Sequence, residues 1–243
     1  MLMSDNQLLR IVIASNSQGT SSGISLECNY PSVLQNRLGR KFQIHRILIS
    51  GWTSRDFFNN FYDNVISVSP DLVLMHFGIV ESAQRILSNH EKFFFSLLPF
   101  GSGITSFLHR NRSPVLKLRK SLGLQARQVS FVDYADSVHN IASELNRYKI
   151  RYLFLRTPFF PDNGESVGHP FINQDIEAYN HALDEYKSIA LDLCSGGWTM
   201  EDYQPGTVHF SESGHRKIAD LLTYEVLIRL CPEKLSHHNF IKS

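Results

Sequence analysis

The sequence contains little cysteine, and its cysteines do not form a motif. Only 3 of its 243 residues are cysteine, at Cys28, Cys194 and Cys231, and they lie far apart along the chain. Because no Cys-x-x-Cys pair is present, the sequence excludes a zinc ribbon, a thiol redox motif and a disulfide framework as the basis of the fold. Sparse and unpaired cysteine is typical of a reducing compartment, so we expect a cytoplasmic protein.

The sequence also lacks an excess of one charge and any long apolar run. Its 24 Lys and Arg against 23 Asp and Glu give a net charge of +1, which argues against a nucleic-acid partner. No stretch approaches the ~18 consecutive apolar residues of a membrane span. The polar start Met1–Gln7 and the short apolar run Leu8–Ala14 do not fit a signal peptide. We therefore expect no transmembrane segment.

The charge is nevertheless distributed unevenly. The segment Lys92–Arg127 contains seven basic residues and no Asp or Glu, together with the run Phe93–Phe95 and a Gly101-Ser102-Gly103 hinge. One interpretation is a binding site for an anionic acceptor, such as a nucleotide-linked sugar, or for an anionic membrane surface. The other, which we favour, is a solvated insertion whose aromatic side chains complete the core.

Short apolar runs alternate with stretches of helical periodicity along the chain. The predicted strands are Ile11–Ala14, Phe42–Ile49, Leu72–Phe77, Tyr152–Leu155 and Ala190–Leu193. The predicted helices are about Ser32–Leu38, Thr53–Tyr62, Glu81–Asn89, Ala135–Tyr148 and Ile172–Ile189, followed by a last helix with Ile218, Leu221, Leu222 and Val226 on one face. This alternation predicts one α/β domain over residues 1–243, a doubly wound three-layer α/β/α sandwich with a parallel sheet. The segment of about 90–130 breaks the alternation and is predicted to be an insertion, in the form of a small helical cap.

Four loops should meet at one edge of this sheet. Ligands of open α/β sheets bind at the carboxyl ends of the strands, near the point where the strand order reverses. The segments that reach this edge are Ser15–Thr20, Ser50–Thr53, Gly78–Glu81 and Gly206–His215, the last of which leads into the final helix. We therefore expect the chemistry of the protein at this edge.

The order of these four segments resembles the SGNH (GDSL) hydrolase superfamily, whose four blocks supply a serine, a glycine, an asparagine and a histidine. The matching residues are Ser15-Asn16-Ser17, Gly51, Gly78-Ile79-Val80-Glu81 and Gly206-Thr207-Val208-His209. The resemblance implies a five-stranded, flavodoxin-like sheet, with Ser17 as nucleophile and His209 as general base. The spacing of His169 and of the pair His237-His238 does not fit metal ligands, and the glycine pattern is not a dinucleotide fingerprint, so we expect no metal and no cofactor. The third block, with Arg85 nearby, is similar to a subgroup from bacterial surface-polysaccharide gene clusters, which implies an acylated sugar or a similar small ester as substrate.

The sequence departs from the family pattern at three positions. Val80 stands where the family has the asparagine that donates to the oxyanion, and Asn16 replaces the aspartate of the first block. Gly206 stands where the family has the aspartate that orients the histidine. The oxyanion would then depend on the backbone N–H groups of Ser17 and Gly51, with Asn16 as a further donor.

The remaining site residues are predicted from the same blocks. We expect Gly78, Glu81 and Arg85 to take part in substrate binding beside the oxyanion donors. For the acid that orients the histidine we prefer Asp202, because the chain could fold back over the seven residues that separate it from His209. The alternatives are Glu201, Glu81 and a backbone carbonyl group in a Ser–His dyad.

Each assignment has an alternative. Ser17 could cap the helix that follows the first strand, and His209 could be a structural histidine, as we expect for His215. Arg85 and Arg110 could hold a substrate phosphate or carboxylate, or could serve only in surface ion pairs. The main hypothesis is an esterase or O-acyltransferase that forms an acyl-serine intermediate. The second is a catalytically impaired module that binds a glycan, a nucleotide-sugar or a partner protein, and the third is a transferase whose basic insertion binds an anionic acceptor.

Overall fold

The computed structural model describes residues 8–232, so the predicted non-signal segment Met1–Gln7 lies outside the described residues, as do residues 233–243. Five strands form one parallel sheet in the order β2-β1-β3-β4-β5. The strands are β1 (Leu9–Ser15), β2 (Phe42–Leu48), β3 (Leu72–His76), β4 (Arg151–Leu155) and β5 (Ala190–Leu191). The predicted five-stranded parallel sheet is confirmed, and its strand order is that of flavodoxin-like folds.

Helices connect the strands and cover the sheet. They are α1 (Tyr30–Leu38), α2 (Ser54–Asn59), α3 (Phe61–Asn64), α4 (Ile79–Ser82), α5 (Asn89–Ser96), α6 (Gly101–Arg110), α7 (Arg112–Ser121), α8 (Phe131–Arg147), α9 (Ile172–His181) and α10 (Glu212–Leu230). Short 3₁₀ segments occur at Leu26–Cys28, Ile66–Val68, Asp184–Ile189 and Met200–Asp202. Between residues 8 and 232, no helix is both long enough and apolar enough to cross a membrane.

The sheet buries apolar side chains on both of its faces. Ile11 and Ile13 of β1 pack on one face in a cluster with residues of α1 and α10, whereas Val12 and Ala14 pack on the other face with residues of α2 and α8. Successive side chains of a strand point to opposite faces, so a strand that is apolar at every position requires cover on both sides. The continuous apolar runs of the sequence thus produce the three-layer α/β/α sandwich.

Three predicted helices are interrupted or misplaced. The predicted helix Thr53–Tyr62 is divided at Asn60 into α2 and α3. The predicted helix Glu81–Asn89 is wrong, because α4 ends at Ser82 and Arg85 forms an isolated bridge with Ala126. A new helix begins at Asn89 because Ser88 caps it in a capping box with Glu91. The predicted helix Ile172–Ile189 is divided, with α9 ending at His181 and a 3₁₀ segment following.

Between β3 and β4 lie α5, α6 and α7, which we call the helical insertion (residues 89–121). The segment is helical, and the interpretation that its aromatic side chains complete the core is wrong. Phe93 and Phe100 are 67% and 81% exposed, and Phe95 packs only at the edge of a small cluster. The buried members of that cluster are Ile86, Leu87 and Leu116.

Candidate active site

Ser17 lies in the tight turn that follows β1. The Gly19 N–H donates to the Asn16 carbonyl oxygen at 3.0 Å, and the Gln18 N–H donates to Asn16 Oδ1 at 3.1 Å. Gly19 is required in this turn because a Cβ there would lie 2.6 Å from the Cβ of Ser15. The side-chain oxygen of Asn16 therefore shapes the turn that presents Ser17 at the carboxyl edge of the sheet.

The hydroxyl of Ser17 is not used for capping. The helix that follows β1 is capped by Asn29, whose Oδ1 accepts from the Ser32 N–H at 2.9 Å, so the alternative of a capping serine is wrong. Ser17 is 7% exposed, and its Oγ has no hydrogen-bond partner within residues 8–232. A serine hydroxyl without a structural partner at a strand end is available to a substrate.

The loop before α10 fixes the backbone of His209. The Gln204 N–H donates to the His209 carbonyl oxygen at 2.9 Å, and the His209 N–H donates to Thr207 Oγ1 at 3.1 Å. The next residue, Phe210, is fully buried and pairs with Tyr203 in an isolated bridge. Burial lowers the pKa of His209, so its imidazole is neutral at neutral pH and can accept a proton.

Ser17 and His209 line the same open cleft at the carboxyl edge of the sheet. The cleft has a volume of about 350 Å³. Its lining residues are Ser17, Ser50, Gly51, Ile79, Val80, Ala83, Arg85, Arg112, Val167, His169, Gly206, Thr207, Val208 and His209. Two residues that are 192 positions apart in the sequence thus line one cleft. No direct hydrogen bond joins their side chains among residues 8–232. Such contacts are often long before a substrate binds.

The second family block supplies Gly51 to this cleft. Gly51 has a φ of +80°, and the N–H groups of Ser17 and Gly51 make no hydrogen bond within the described part of the chain. Val80, at the asparagine position, is among the lining residues and presents an apolar side chain there. Two residues that line the cleft therefore have backbone N–H groups without a hydrogen bond in the described residues, and the third-block position has no side-chain amide.

The structure does not bring Asp202 to His209. The Asp202 carboxylate accepts from Lys217 Nζ at 2.6 Å and from the Thr199 N–H at 2.9 Å, which lowers the pKa of this carboxyl. No carboxylate, including those of Glu201 and Glu81, hydrogen-bonds the His209 ring within residues 8–232. Asp202 has a structural role in place of the predicted orienting role.

Glu81 also has a structural role. Its carboxylate is fully buried and accepts from the Ser54 N–H at 2.7 Å and from the Gly78 N–H at 2.9 Å. Burial raises the pKa of this carboxyl, while the two backbone donors favour its charged form. Glu81 thus connects the third block to the start of α2. Glu81, Asn16 and Gly78 are buried and are not among the described residues that line the cleft, in contrast to the predicted contact with substrate.

Arg112 and His169 line the cleft but were missed as site residues in the sequence. Arg112, at the first position of α7, donates to the ring of His169 and to the Gln84 carbonyl oxygen at 3.4 Å. Arg85 lies in the cleft as predicted, whereas Arg110 is exposed and does not line it. The only signal for Arg112 in the sequence was its position in the basic segment, which does not distinguish it from the six other basic residues.

The remaining histidines within residues 8–232 do not form a metal site, and His237 and His238 lie outside the described residues. No cluster of three or more His, Cys, Asp or Glu side chains suited to a metal ion occurs in residues 8–232. His215 is buried, and its Nδ1 accepts from the Tyr30 N–H at 3.1 Å, which is the structural role expected for it. Burial, with a further contribution from His209, lowers the pKa of His215 to about 4.

Known structures resemble this one over nearly its whole length. A lipase/acylhydrolase from Enterococcus faecalis matches at 15% identity and a TM-score of 0.60, covering 91% of this chain and 96% of that chain. An acetylxylan esterase from Geobacillus stearothermophilus, solved as a catalytic mutant, matches at 14% identity and a TM-score of 0.60, covering 92% and 96%. A lipolytic protein of the G-D-S-L family from Desulfitobacterium hafniense matches at 11% identity and a TM-score of 0.56, covering 88% and 98%. The chain has the SGNH hydrolase fold. No family model and no curated protein matches the sequence itself.

This fold agrees with the resemblance predicted from the four blocks. With identities of 11–15%, these structures establish the SGNH architecture and leave the chemistry to the side chains of this chain. Within that architecture the serine and the histidine of the first and fourth blocks meet in one cleft, while the orienting acid and the amide donor do not.

Proposed function

We propose that the protein is a serine-dependent ester hydrolase or O-acyltransferase that acts on an acylated sugar or a similar small ester. The observation that carries this proposal is the shared cleft of Ser17 and His209, in which Ser17 Oγ has no structural hydrogen bond. An unpaired hydroxyl and a neutral imidazole in one cleft are the minimum for nucleophilic acyl transfer. The similar structures include an acetylxylan esterase and an acylhydrolase, which supports an O-acyl ester as the substrate.

The proposed reaction has two steps that share one base. Ser17 Oγ attacks the ester carbonyl carbon while His209 accepts the hydroxyl proton. The N–H groups of Ser17 and Gly51 donate to the oxyanion of the tetrahedral intermediate, which collapses to acyl-Ser17 as His209 protonates the leaving alcohol. Water, or an alcohol in the case of transfer, then attacks the acyl-serine with His209 again as base, and Ser17 is regenerated.

Two departures from the family pattern predict a low rate of acyl transfer. With Val80 in place of an amide donor, the oxyanion loses a contribution that is worth roughly 10²–10³ in rate in other hydrolases. Without a carboxylate on the distal ring nitrogen, His209 acts in a dyad, and the imidazolium that forms on proton transfer is less stabilised. We therefore expect measurable but low turnover with simple esters.

The test combines turnover with covalent labelling. The wild-type protein, Ser17→Ala and His209→Ala are assayed with p-nitrophenyl acetate and acetylated sugars, and each is treated with a fluorophosphonate. We expect turnover only by the wild type and a labelled peptide that contains Ser17, whereas Ser121→Ala, a change of an exposed serine on α7, should retain both. Equal turnover by wild type and Ser17→Ala, with no label on Ser17, would exclude the proposal.

The second candidate is a binding module with the same cleft and no efficient hydrolysis. It is favoured by Gly206 and Val80, both of which line the cleft where the family has chemically active side chains. In that case the cleft would still bind a glycan or nucleotide-sugar, and the fluorophosphonate would leave Ser17 unmodified. Ligand-induced shifts of the melting temperature without labelling would support this candidate over the esterase.

A further inference from the structure

The cleft beside Ser17 contains two positive charges and no negative one. Arg85 and Arg112 both line it, together with the neutral imidazoles of His169 and His209. No Asp or Glu is among the lining residues that the structure describes. The surplus charge is local, because the whole chain carries a net charge of only +1.

Neither arginine has a carboxylate partner within residues 8–232. The neighbouring arginines differ, since Arg119 pairs with Glu91 and Arg127 pairs with Asp175. Arg85 instead donates to Gln128 Oε1, and Arg112 donates to the Gln84 carbonyl oxygen and to the His169 ring. These acceptors are neutral, so they orient the guanidinium groups without compensating their charge.

Burial of two charges without a counter-charge is unfavourable. Both arginines are partly buried, and desolvation lowers the pKa of each, with the charge of Arg85 lowering that of Arg112 further. Arginine remains protonated in proteins, so the two like charges stay close together. The Nε of Arg112 is buried without a hydrogen-bond partner. An anion between the two guanidinium groups would reduce the repulsion and could accept the hydrogen bond that Arg112 Nε lacks.

The supports of the two arginines are themselves fixed. Gln128 Nε2 donates to the Gly51 carbonyl oxygen at 3.1 Å, which links Arg85 to the loop of the second family block. His169 is fully buried, and burial together with the two arginine charges lowers its pKa to about 3, so it remains a neutral acceptor for Arg112. The cationic pair is thus a built feature of the cleft and is connected to the oxyanion loop.

We propose that Arg85 and Arg112 form an anion subsite and that the ester substrate therefore carries a phosphate or carboxylate group. This inference rests on the proposed function for its ester component, whereas the anion subsite itself does not require catalysis. Guanidinium groups bind both phosphate and carboxylate oxygens in two-pronged geometry. The subsite would hold the anionic end of the substrate while the acyl group lies at Ser17.

Binding is tested first, in a protein that cannot turn over its ligand. Ser17→Ala protein is titrated by calorimetry with glucose 6-phosphate, glucuronic acid and glucose. We expect the two anionic sugars to bind at least about tenfold more tightly than glucose, since they form charge-assisted hydrogen bonds with the guanidinium groups that glucose cannot form. The preference between the phosphate and the carboxylate identifies the source of the anion. Equal affinity for all three sugars would overturn the proposal.

Substitution of the arginines tests the location of the subsite. Arg85→Gln and Arg112→Gln, each in the Ser17→Ala background, should weaken binding of the preferred anionic sugar about tenfold to a hundredfold. Arg110→Gln removes the same charge from an exposed position of α6 outside the cleft and should leave the affinity unchanged. A loss of affinity that is equal for all three variants would show general electrostatic attraction and would contradict the subsite.

Kinetics separate this proposal from the proposed reaction. For the enzyme with Ser17 intact, kcat/KM is compared for an O-acetyl hexose and the same O-acetyl hexose bearing a 6-phosphate or 6-carboxylate. We expect the anionic ester to be preferred and the ratio of the two kcat/KM values to fall at least about tenfold in Arg85→Gln and Arg112→Gln. Anion binding without any ester turnover would exclude the proposed reaction and support the subsite. Ester turnover without a preference for the anionic ester would support the reaction and exclude the subsite. If a variant does not fold, as judged by its melting curve, inhibition of ester turnover by glucose 6-phosphate and by glucose is compared for the unmodified enzyme. Stronger inhibition by glucose 6-phosphate supports the anion subsite, and equal inhibition contradicts it.

Discussion

The parallel sheet and the helical insertion bury their apolar side chains in different ways. In the sheet, β3 is buried at every position and is covered on both faces. The insertion shares one small cluster around Leu116, and Phe93 and Phe100 stay exposed. Nevertheless both regions contribute to one cleft, to which the sheet edge supplies Ser17 and the insertion supplies Arg112. The well-packed region therefore positions the reacting groups, and the weakly packed region adds the charge that faces them.

The largest difference between the two regions should appear in core truncations. Leu74→Ala in β3 should lower the free energy of unfolding by about 3–5 kcal/mol, because the rigid sheet cannot close the resulting cavity. Leu116→Ala in α7 removes an equally buried side chain, but the small cluster around it can collapse, so we expect a loss of about 2 kcal/mol. Urea denaturation measures both values. A larger loss for Leu116→Ala would mean that the insertion is integral to the core.

The next largest effect concerns histidines under the sheet edge. His76, at the end of β3, is buried, and burial, with a smaller contribution from His215, lowers its pKa to about 3. The folded state therefore keeps His76 neutral, while the unfolded chain binds a proton below about pH 6.5. This contribution to stability is complete above pH 6.5 and decreases as the pH falls, by about 2 kcal/mol at pH 5.

A matched pair of variants tests this contribution. His76 stacks on Phe210 with a ring-centroid distance of 5.9 Å, and both of its ring nitrogens are buried without a partner. His76→Phe should therefore keep the packing and lose less melting temperature than the wild type between pH 7 and pH 5. His90→Gln, at an exposed position of the insertion, is the control and should behave as the wild type does. Identical pH profiles for wild type and His76→Phe would contradict the assignment.

The sequence predicted the sheet well and the insertion less well, for a physical reason. Buried parallel strands must be apolar at every position, so Leu72–Phe77 was recognised to within one residue of β3. The insertion breaks the usual relation between aromatic composition and burial, since Phe100 is 81% exposed. Composition alone could not show this, because exposure depends on which helices pack against the segment.

In the candidate site, too, some residues could be predicted from the sequence and others could not. Ser17 and Gly51 could be predicted because they follow strands directly, and the topology then determines the edge at which they meet. The role of Asp202 could not be predicted, since nearness in sequence does not reveal its ion pair with Lys217 on α10. Arg112 reaches the cleft only through the tertiary packing of the insertion, which no local pattern in the sequence encodes.

A smaller effect is expected from restoring the acid at the fourth block. Gly206 lines the cleft, and a Cβ built there has open space within 4 Å, so Gly206→Asp can be accommodated. The φ of +69° is one that Asp tolerates better than most residues, at a cost of about 1 kcal/mol. We expect ester turnover to rise about tenfold, a small part of the roughly 10⁴ that such an aspartate contributes in serine proteases.

The pH dependence of that variant identifies the cause of any gain. Burial lowers the pKa of His209 in the wild type, so activity should rise with pH to a plateau that begins below the usual range of histidine titration. A carboxylate beside the ring raises the pKa, so the plateau of Gly206→Asp should begin at a higher pH. Gly206→Asn, which lacks the charge, is the control. A gain in both variants without a shift in the profile would attribute it to the loop and would count against an orienting acid.

The smallest expected effect concerns the exposed aromatic side chains of the insertion. Phe100→Ser should change the free energy of unfolding by no more than about 0.5 kcal/mol, because the ring is already in solvent in the folded state. Removal of exposed apolar area should instead raise the concentration at which the protein begins to associate, since such patches promote aggregation. Denaturation curves and light scattering of Phe100→Ser and of Phe57→Ser, a change of a fully buried ring in α2, provide the contrast. A loss of several kcal/mol in Phe100→Ser would show that this ring is buried in solution, and the difference in packing between insertion and sheet would then disappear.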